Sequence, residues 1–149
     1  MEGLVIRPVT QADEPDWRRL WTDYLTFYET TLPEEIYRST FARLTEGGAN
    51  EFAGLLAFHD GKPVGLAHYL FHRSCWTINN VCYLQDLYTD PEVRGIGVGR
   101  ALIEAVYAKA AEAGTPEVHW MTQEFNATAR RLYDRIAEKT PFIIYQKNL

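Results

Sequence analysis

Residues 90–100 carry the densest concentration of chemistry in the chain. Gly95, Gly97 and Gly99 alternate where a strand passes into a helix, so bare backbone N–H groups can converge on an anion at the positive end of that helix. Arg94 and Arg100 bracket the turn, and their planar guanidinium donors suit phosphate oxygens. The expected guest is a phosphate or pyrophosphate. No Gly-Lys-Ser/Thr run follows, so the turn lacks the lysine and the magnesium-binding hydroxyl of a P-loop. The dinucleotide fingerprint fails as well, because Arg100 stands where the third glycine counted from Gly95 belongs.

Composition restricts which anion this is. A formal charge of -5 with no basic stripe excludes a broad nucleic-acid surface, so the polyanion is small and held locally. At 149 residues, 46% hydrophobic and 23% charged, the chain reads as one globular domain, 1–149. Residues 1–7 lack the basic, apolar and small-residue sections of a signal peptide, and no apolar run is long enough for a bilayer, so the expectation is a cytoplasmic protein without a membrane partner. Cys75 and Cys82 read as reduced and structural, and no ligand-spaced cluster predicts a metal. Nine Tyr and four Trp are an ample aromatic supply for a core or for the wall of a ligand groove.

The elements that position the glycine turn follow from pattern. Leu4, Val5 and Ile6 before Pro8 read as a first strand. Thr10 and Asp13 have a capping-box spacing ahead of a helix whose stripe is Trp17, Leu20, Trp21, Tyr24 and Tyr28. Pro33 opens a second helix with Ile36, Tyr37, Phe41 and Leu44 as its buried face. Strands at 52–59 and 63–71 flank a tight Asp60–Gly61 turn. A strand at 82–89 feeds the glycine turn and a helix carrying Leu102, Ile103, Val106 and Ala110. Next come a strand at 118–122, parallel to 82–89 across that helix, a helix at 126–137 and a last strand at 142–146. The fold class is α/β: a single-domain mixed, mostly antiparallel sheet flanked by helices.

The pattern Arg94-x-x-Gly97-x-Gly99, after a strand ending in Thr89, Asp90 and Pro91, resembles the coenzyme-A signature of the GCN5-related N-acetyltransferases (GNAT). A second element of that family is matched by Asn126, Ala129, Leu132 and Tyr133. The order of strands and helices is similar over nearly the whole chain. Within the family, residues 68–76 and 83–88 look most like the spermidine/spermine and thialysine acetyltransferases and their microbial relatives. The polyamine enzymes usually carry Glu before the Asp on that strand, whereas here Gln85 precedes Asp86.

The resemblance implies acetyl-CoA as cosubstrate. Leu87, Tyr88 and Thr89 would lend backbone groups to the pantetheine arm, with an N–H of that stretch facing the thioester oxygen. The turn Arg94, Gly95, Ile96, Gly97, Val98, Gly99 and Arg100 would take the pyrophosphate, with Asn126 and Ala129 beside the arm. Tyr133 is the expected general acid, since a phenol can protonate a departing thiolate. Asp86 is the expected base, because an alkyl amine of pKa about 10.4 must lose a proton before attack. Tyr24, Tyr28, Glu29 and Gln85 are expected to frame the cationic amine. His68, His72 and His119 read as packed or surface side chains.

The resulting expectation is acetyl transfer to the primary amine of a small cationic molecule, a polyamine, diamine or amino acid, by direct attack in a ternary complex. A protein lysine or N-terminal acetyltransferase and a non-catalytic coenzyme-A-binding module are the alternatives. The family's habit of pairing terminal strands, with the apolar residues 142–145, implies a homodimer.

Overall fold

The computed structural model describes residues 3–149, which form a five-stranded sheet in chain order: β1 (Leu4–Pro8), β2 (Ala53–His59), β3 (Lys62–His72), β4 (Val81–Thr89) and β5 (Val118–His119). Neighbours are antiparallel except β4 and β5, which run parallel. The helix α3 (Val98–Glu112) supplies the crossover that parallel strands require. Asp60 and Gly61 both have positive φ, 51° and 81°, the backbone a two-residue hairpin needs to follow the twist of β2 and β3.

Helices α1 (Glu14–Phe27) and α2 (Glu34–Glu46) cover one face. Trp17, Leu20, Trp21 and Leu25 of α1 pack with Phe41 and Leu44 of α2 on Leu56, Leu66 and Tyr88. On the other face, Leu102, Ile103 and Val106 of α3 pack on Leu55, Ala67 and Leu84. The alternation Leu55/Leu56 and Leu66/Ala67 divides the strands between these two cores, as a pleat of period two requires. Helix α4 (Ala127–Ile136) lies on the α3 side, with Leu132, Tyr133 and Ile136 against that core.

The entry to α1 is clamped by charge. Asp13, 5% exposed, accepts both guanidinium branches of Arg7 at 2.8 and 2.9 Å and the Thr10 N–H at 2.7 Å. Those bonds, the Arg7 pairs foremost, hold the Asp13 carboxyl well below the usual carboxylate range.

Three local expectations are corrected. The strand expected at 118–122 is only Val118–His119, and the chain turns away from β4 beyond it. The strand expected at 142–146 does not form. Its apolar residues supply strand propensity without a ladder partner, and Phe142, Ile143, Ile144 and Tyr145 stand exposed. On α2, Ile36 is 40% exposed while Phe41 and Leu44 are buried, because Ile36 falls to the side of the helical stripe Tyr37, Phe41 and Leu44 that packs on the core.

Candidate active site

The early end of β5 creates the site. Only Cys82 and Tyr83 of β4 pair with Val118 and His119, so residues 84–89 present an unpaired edge on that side. A cleft of about 540 Å³ opens there and runs to the start of α3. Leu87, Tyr88 and Thr89 line it from β4, and Asn126, just before α4, with Ala129, Leu132 and Tyr133 of that helix, lines the opposite side. Open ladder groups of this kind accept an extended chain carrying amides.

At the far end of the cleft lie Arg94, Gly95, Gly97, Gly99 and Arg100. Gly97, at φ 93°, is the N-cap of α3 and no side chain caps the helix. The orphan N–H groups and the positive end of the dipole are therefore free for an anion. Arg94 is braced by Nε donating to Thr89 O at 3.3 Å, and its guanidinium lies 5.7 Å from the Phe27 ring centre. Arg100 shares its charge with Glu104 at 2.8 Å. Ile96 is exposed and does not line the cleft. Asn126 does not cap α4 with its side chain, whose Nδ2 donates to Thr122 Oγ1 at 3.3 Å.

A second, small pocket of about 30 Å³ adjoins the cleft, lined by Tyr24, Tyr28, Leu84, Gln85, Leu87, Trp120, Met121, Thr122 and Tyr133. Tyr24, Tyr28, Leu87 and Tyr133 belong to both cavities, so the two meet at these side chains. Tyr133 packs edge-on against Trp120 at 5.4 Å. Burial, with a smaller contribution from Tyr28, pushes its phenol up to about 12, so it stays protonated and remains a donor.

Asp86 is placed differently from the expectation that it faces this pocket. In the β3–β4 ladder His68 pairs with Asp86 but Tyr69 pairs with Leu84, which leaves Gln85 as an extra residue in a β-bulge. The bulge reverses the alternation of β4. Cys82 and Leu84 face the α3 core, whereas Asp86 and Tyr88 lie towards α1. Asp86 is 8% exposed and lines neither cavity. Its Oδ2 lies 3.0 Å from His68 Nδ1 and its Oδ1 accepts the Tyr24 hydroxyl at 2.7 Å. Burial and the Asp86 charge push the Tyr24 phenol far above its ordinary value. Gln85 is exposed at the pocket rim, and Glu29, at φ 55° beyond the end of α1, lines neither cavity.

Sequence reasoning did not single out Phe27, Thr128, Arg131 and Arg135 of the cleft. Arg131 and Arg135 are separated by one helical turn, three and seven residues past Thr128, and that spacing was the available signal. Trp120, Met121 and Thr122 were assigned to a strand and instead wall the small pocket.

The chain belongs to the acetyltransferase (GNAT) family, whose profile matches residues 15–137. It is thus an acyltransferase of a family that uses acetyl-CoA. Among its relatives, a D-amino-acid N-acetyltransferase of Saccharomyces cerevisiae is 40% identical over 99% of this chain and 92% of the relative. A thialysine N-epsilon-acetyltransferase of Sus scrofa is 34% identical over 93% of this chain and 86% of its own. A solved structure of AAC(6')-Iy with the bisubstrate analogue CoA-S-monomethyl-acetylneamine has the same fold, with TM-score 0.85 at 19% identity over 98% of each chain.

Proposed function

We propose that this acetyltransferase moves an acetyl group from acetyl-CoA to the primary amine of a small cationic molecule, a polyamine, diamine or amino acid, by direct attack in a ternary complex. The observation that carries the reading is the meeting of the phosphate-suited cleft and the small pocket at Tyr24, Tyr28, Leu87 and Tyr133. Donor and acceptor would then be held together, which converts a bimolecular encounter into a positioned reaction.

The glycine turn fits a pyrophosphate through uncapped N–H groups, with Arg94, Arg100, Arg131 and Arg135 available for charge neutralisation. The open edge of Leu87, Tyr88 and Thr89 fits the amides of a pantetheine arm, and a backbone N–H from it is the donor for the thioester oxygen. The coenzyme supplies an activated acyl group and a thiolate leaving group. Tyr133 holds its proton and gives a hydrogen bond to the departing sulfur. Asp86 is the final acceptor of the proton lost by the amine. Gln85 presents a neutral amide at the rim, where it supports an acceptor of lower positive charge than the longest polyamines. Glu29 stands outside both cavities and has no part in this reading.

The narrow pocket favours a small amine over a peptide lysine or N-terminus. The presence of both Tyr133 and Asp86 favours catalysis over a non-catalytic coenzyme-A-binding module. The yeast and pig relatives, named for D-amino acids and thialysine, make these the first acceptors to test. The test is thiol release from acetyl-CoA against putrescine, spermidine, thialysine, D- and L-amino acids and a lysine-rich peptide. Turnover with one small amine is the expected result. Turnover with the peptide alone would transfer the reading to protein acetylation, and tight coenzyme binding without any thiol release would transfer it to the binding module.

The exposed residues 142–145 support a homodimer in which this segment finds a strand partner in a second copy. Ile143→Glu with Ile144→Glu should then lower the mass seen by sedimentation to that of one chain. Free Cys75 and Cys82 support a reducing compartment, the cytoplasm.

A further inference from the structure

A chain of four side chains runs through the α1 core to the small pocket: Trp17, His68, Asp86 and Tyr24. Trp17 and His68 are fully or almost fully buried. Trp17 Nε1 donates to His68 Nε2 at 3.0 Å, His68 Nδ1 lies 3.0 Å from Asp86 Oδ2, and Tyr24 Oη donates to Asp86 Oδ1 at 2.7 Å.

The direction of these bonds is dictated by the first member. An indole N–H can only donate, so His68 Nε2 must present its lone pair. The ring is therefore the neutral tautomer with its proton on Nδ1, and Nδ1–H donates to the carboxylate. A second proton on Nε2 would point at the Trp17 N–H and break the bond. Asp86, with one oxygen supplied by His68, takes the Tyr24 hydroxyl proton on the other. Tyr24 has then spent its only donor, and its oxygen can offer the pocket nothing but lone pairs.

We propose that Tyr24 is the group that contacts the acceptor amine and conveys its proton to Asp86, with Trp17 and His68 as positioning residues that set the direction of the chain. This rests on the transfer reading given above. The end of the chain selects an N–H donor. An incoming ammonium gives its proton to Tyr24 Oη as the Tyr24 O–H proton moves to Asp86 Oδ1. One N–H bond and one O–H bond break, two O–H bonds form, and the amine is left neutral with its lone pair free for attack. Asp86 becomes the neutral acid and later returns the proton to water by the reverse route. Tyr24 remains a phenol throughout, so no tyrosinate needs to accumulate, in keeping with its burial beside a carboxylate. The stack of Tyr24 on Trp21, 5.0 Å and 11° between planes, keeps the ring from swinging away.

The chain also explains how a carboxylate that lines neither cavity can serve the pocket. Asp86 touches it only through Tyr24, and the bulge at Gln85 is what turns Asp86 to that side.

The test compares wild type with Tyr24→Phe, His68→Leu and His68→Asn, using thiol release with D-alanine and with thialysine as acceptors, and acetyl-CoA binding by calorimetry. Tyr24→Phe should lower kcat/KM for the amine by roughly 10- to 1,000-fold, the span of a lost proton-transfer group, and leave the acetyl-CoA Kd within about 3-fold on ordinary mutational scatter. His68→Leu should lose roughly 10- to 100-fold, and His68→Asn, whose amide N–H stands in for Nδ1–H, should recover most of that loss. An unchanged rate in Tyr24→Phe would overturn the proposal. Equal losses in His68→Leu and His68→Asn with unchanged coenzyme Kd would show that only packing is at stake and would overturn the positioning role. Wild type that binds acetyl-CoA but transfers to no amine would instead bring down the transfer reading itself, and the proposal with it.

Discussion

Arg19 reaches from α1 to Asp90 at the end of β4, Nη2 to Oδ2 at 3.2 Å, and the same nitrogen donates to Pro63 O at 2.6 Å. The first wall of the cleft is thereby tied to the strand end from which the glycine turn departs. Asp90 is anchored in its turn by its own N–H to Val64 O at 2.8 Å. Arg19→Ala should therefore weaken acetyl-CoA binding several-fold while costing about 0.5 kcal/mol of stability, the usual scale for a half-exposed pair. Calorimetry and a urea titration of the same variant measure the two effects separately.

Tyr133→Phe should reduce kcat by roughly 10- to 1,000-fold, the contribution of one general acid. The coenzyme Kd should hardly change, because the ring and its contact with Trp120 are kept. Since burial raises the phenol to about 12, the donor form persists as pH rises through the ordinary tyrosine value of about 10. Difference absorbance of the tyrosinate band, wild type minus variant, should show this group ionising only near the top of the alkaline range. Ionisation near pH 10 would refute the buried donor.

Gly97→Ala tests the anion cradle. Its φ of 93° at the N-cap of α3 lies where a Cβ is opposed by the backbone, at a cost of about 1–2 kcal/mol. The turn should relax away from that geometry and acetyl-CoA should bind about ten-fold more weakly. The amine KM at saturating coenzyme should stay close to wild type, since Gly97 lines only the cleft.

Asp13 predicts the acid behaviour of the fold. Its carboxyl is held low in the folded state, by Arg7 first and then by Thr10. A depressed carboxyl contributes stability that is complete above the unfolded value of about 3.9 and drains away as pH falls towards the folded one. Asp13→Asn should accordingly lose about 1–3 kcal/mol at pH 7, the scale of charge-assisted hydrogen bonds. The gap between variant and wild type should narrow as pH drops below about 4. Urea midpoints at several pH values check the sign.

Much of this architecture was legible in the amino-acid order because it depends on local rules. Short, largely apolar runs marked β2, β3 and β4, the Asp60–Gly61 pair marked the hairpin, and the stripe from Trp17 to Tyr28 marked α1 and its buried face. The phosphate-suited turn was equally readable, since glycines bracketed by arginines need only their own backbone and the helix they precede to make an anion site. Residues 142–146 show the limit of such rules. Their pattern is that of a strand, yet strand formation is a property of pairs, and no neighbouring edge receives them among the described residues.

By itself, then, the amino-acid order determined the order of elements from β1 to α4, the anion-suited turn, and Tyr133 and Asp86 as the candidates for proton chemistry. Tertiary structure alone decided how those side chains are connected. One bulged residue, Gln85, reverses the face of everything after it on β4, which turns Asp86 to His68 and Tyr24. A bulge has no necessary signature in residue type, because it arises where two strands settle their register against cores on both faces. The partnership of Trp17 with His68, 51 residues apart in the chain, is of the same kind: neither side chain carries in its own sequence neighbourhood any sign of the other, and only the packing of α1 on β3 makes an indole N–H decide which nitrogen of a histidine bears the proton.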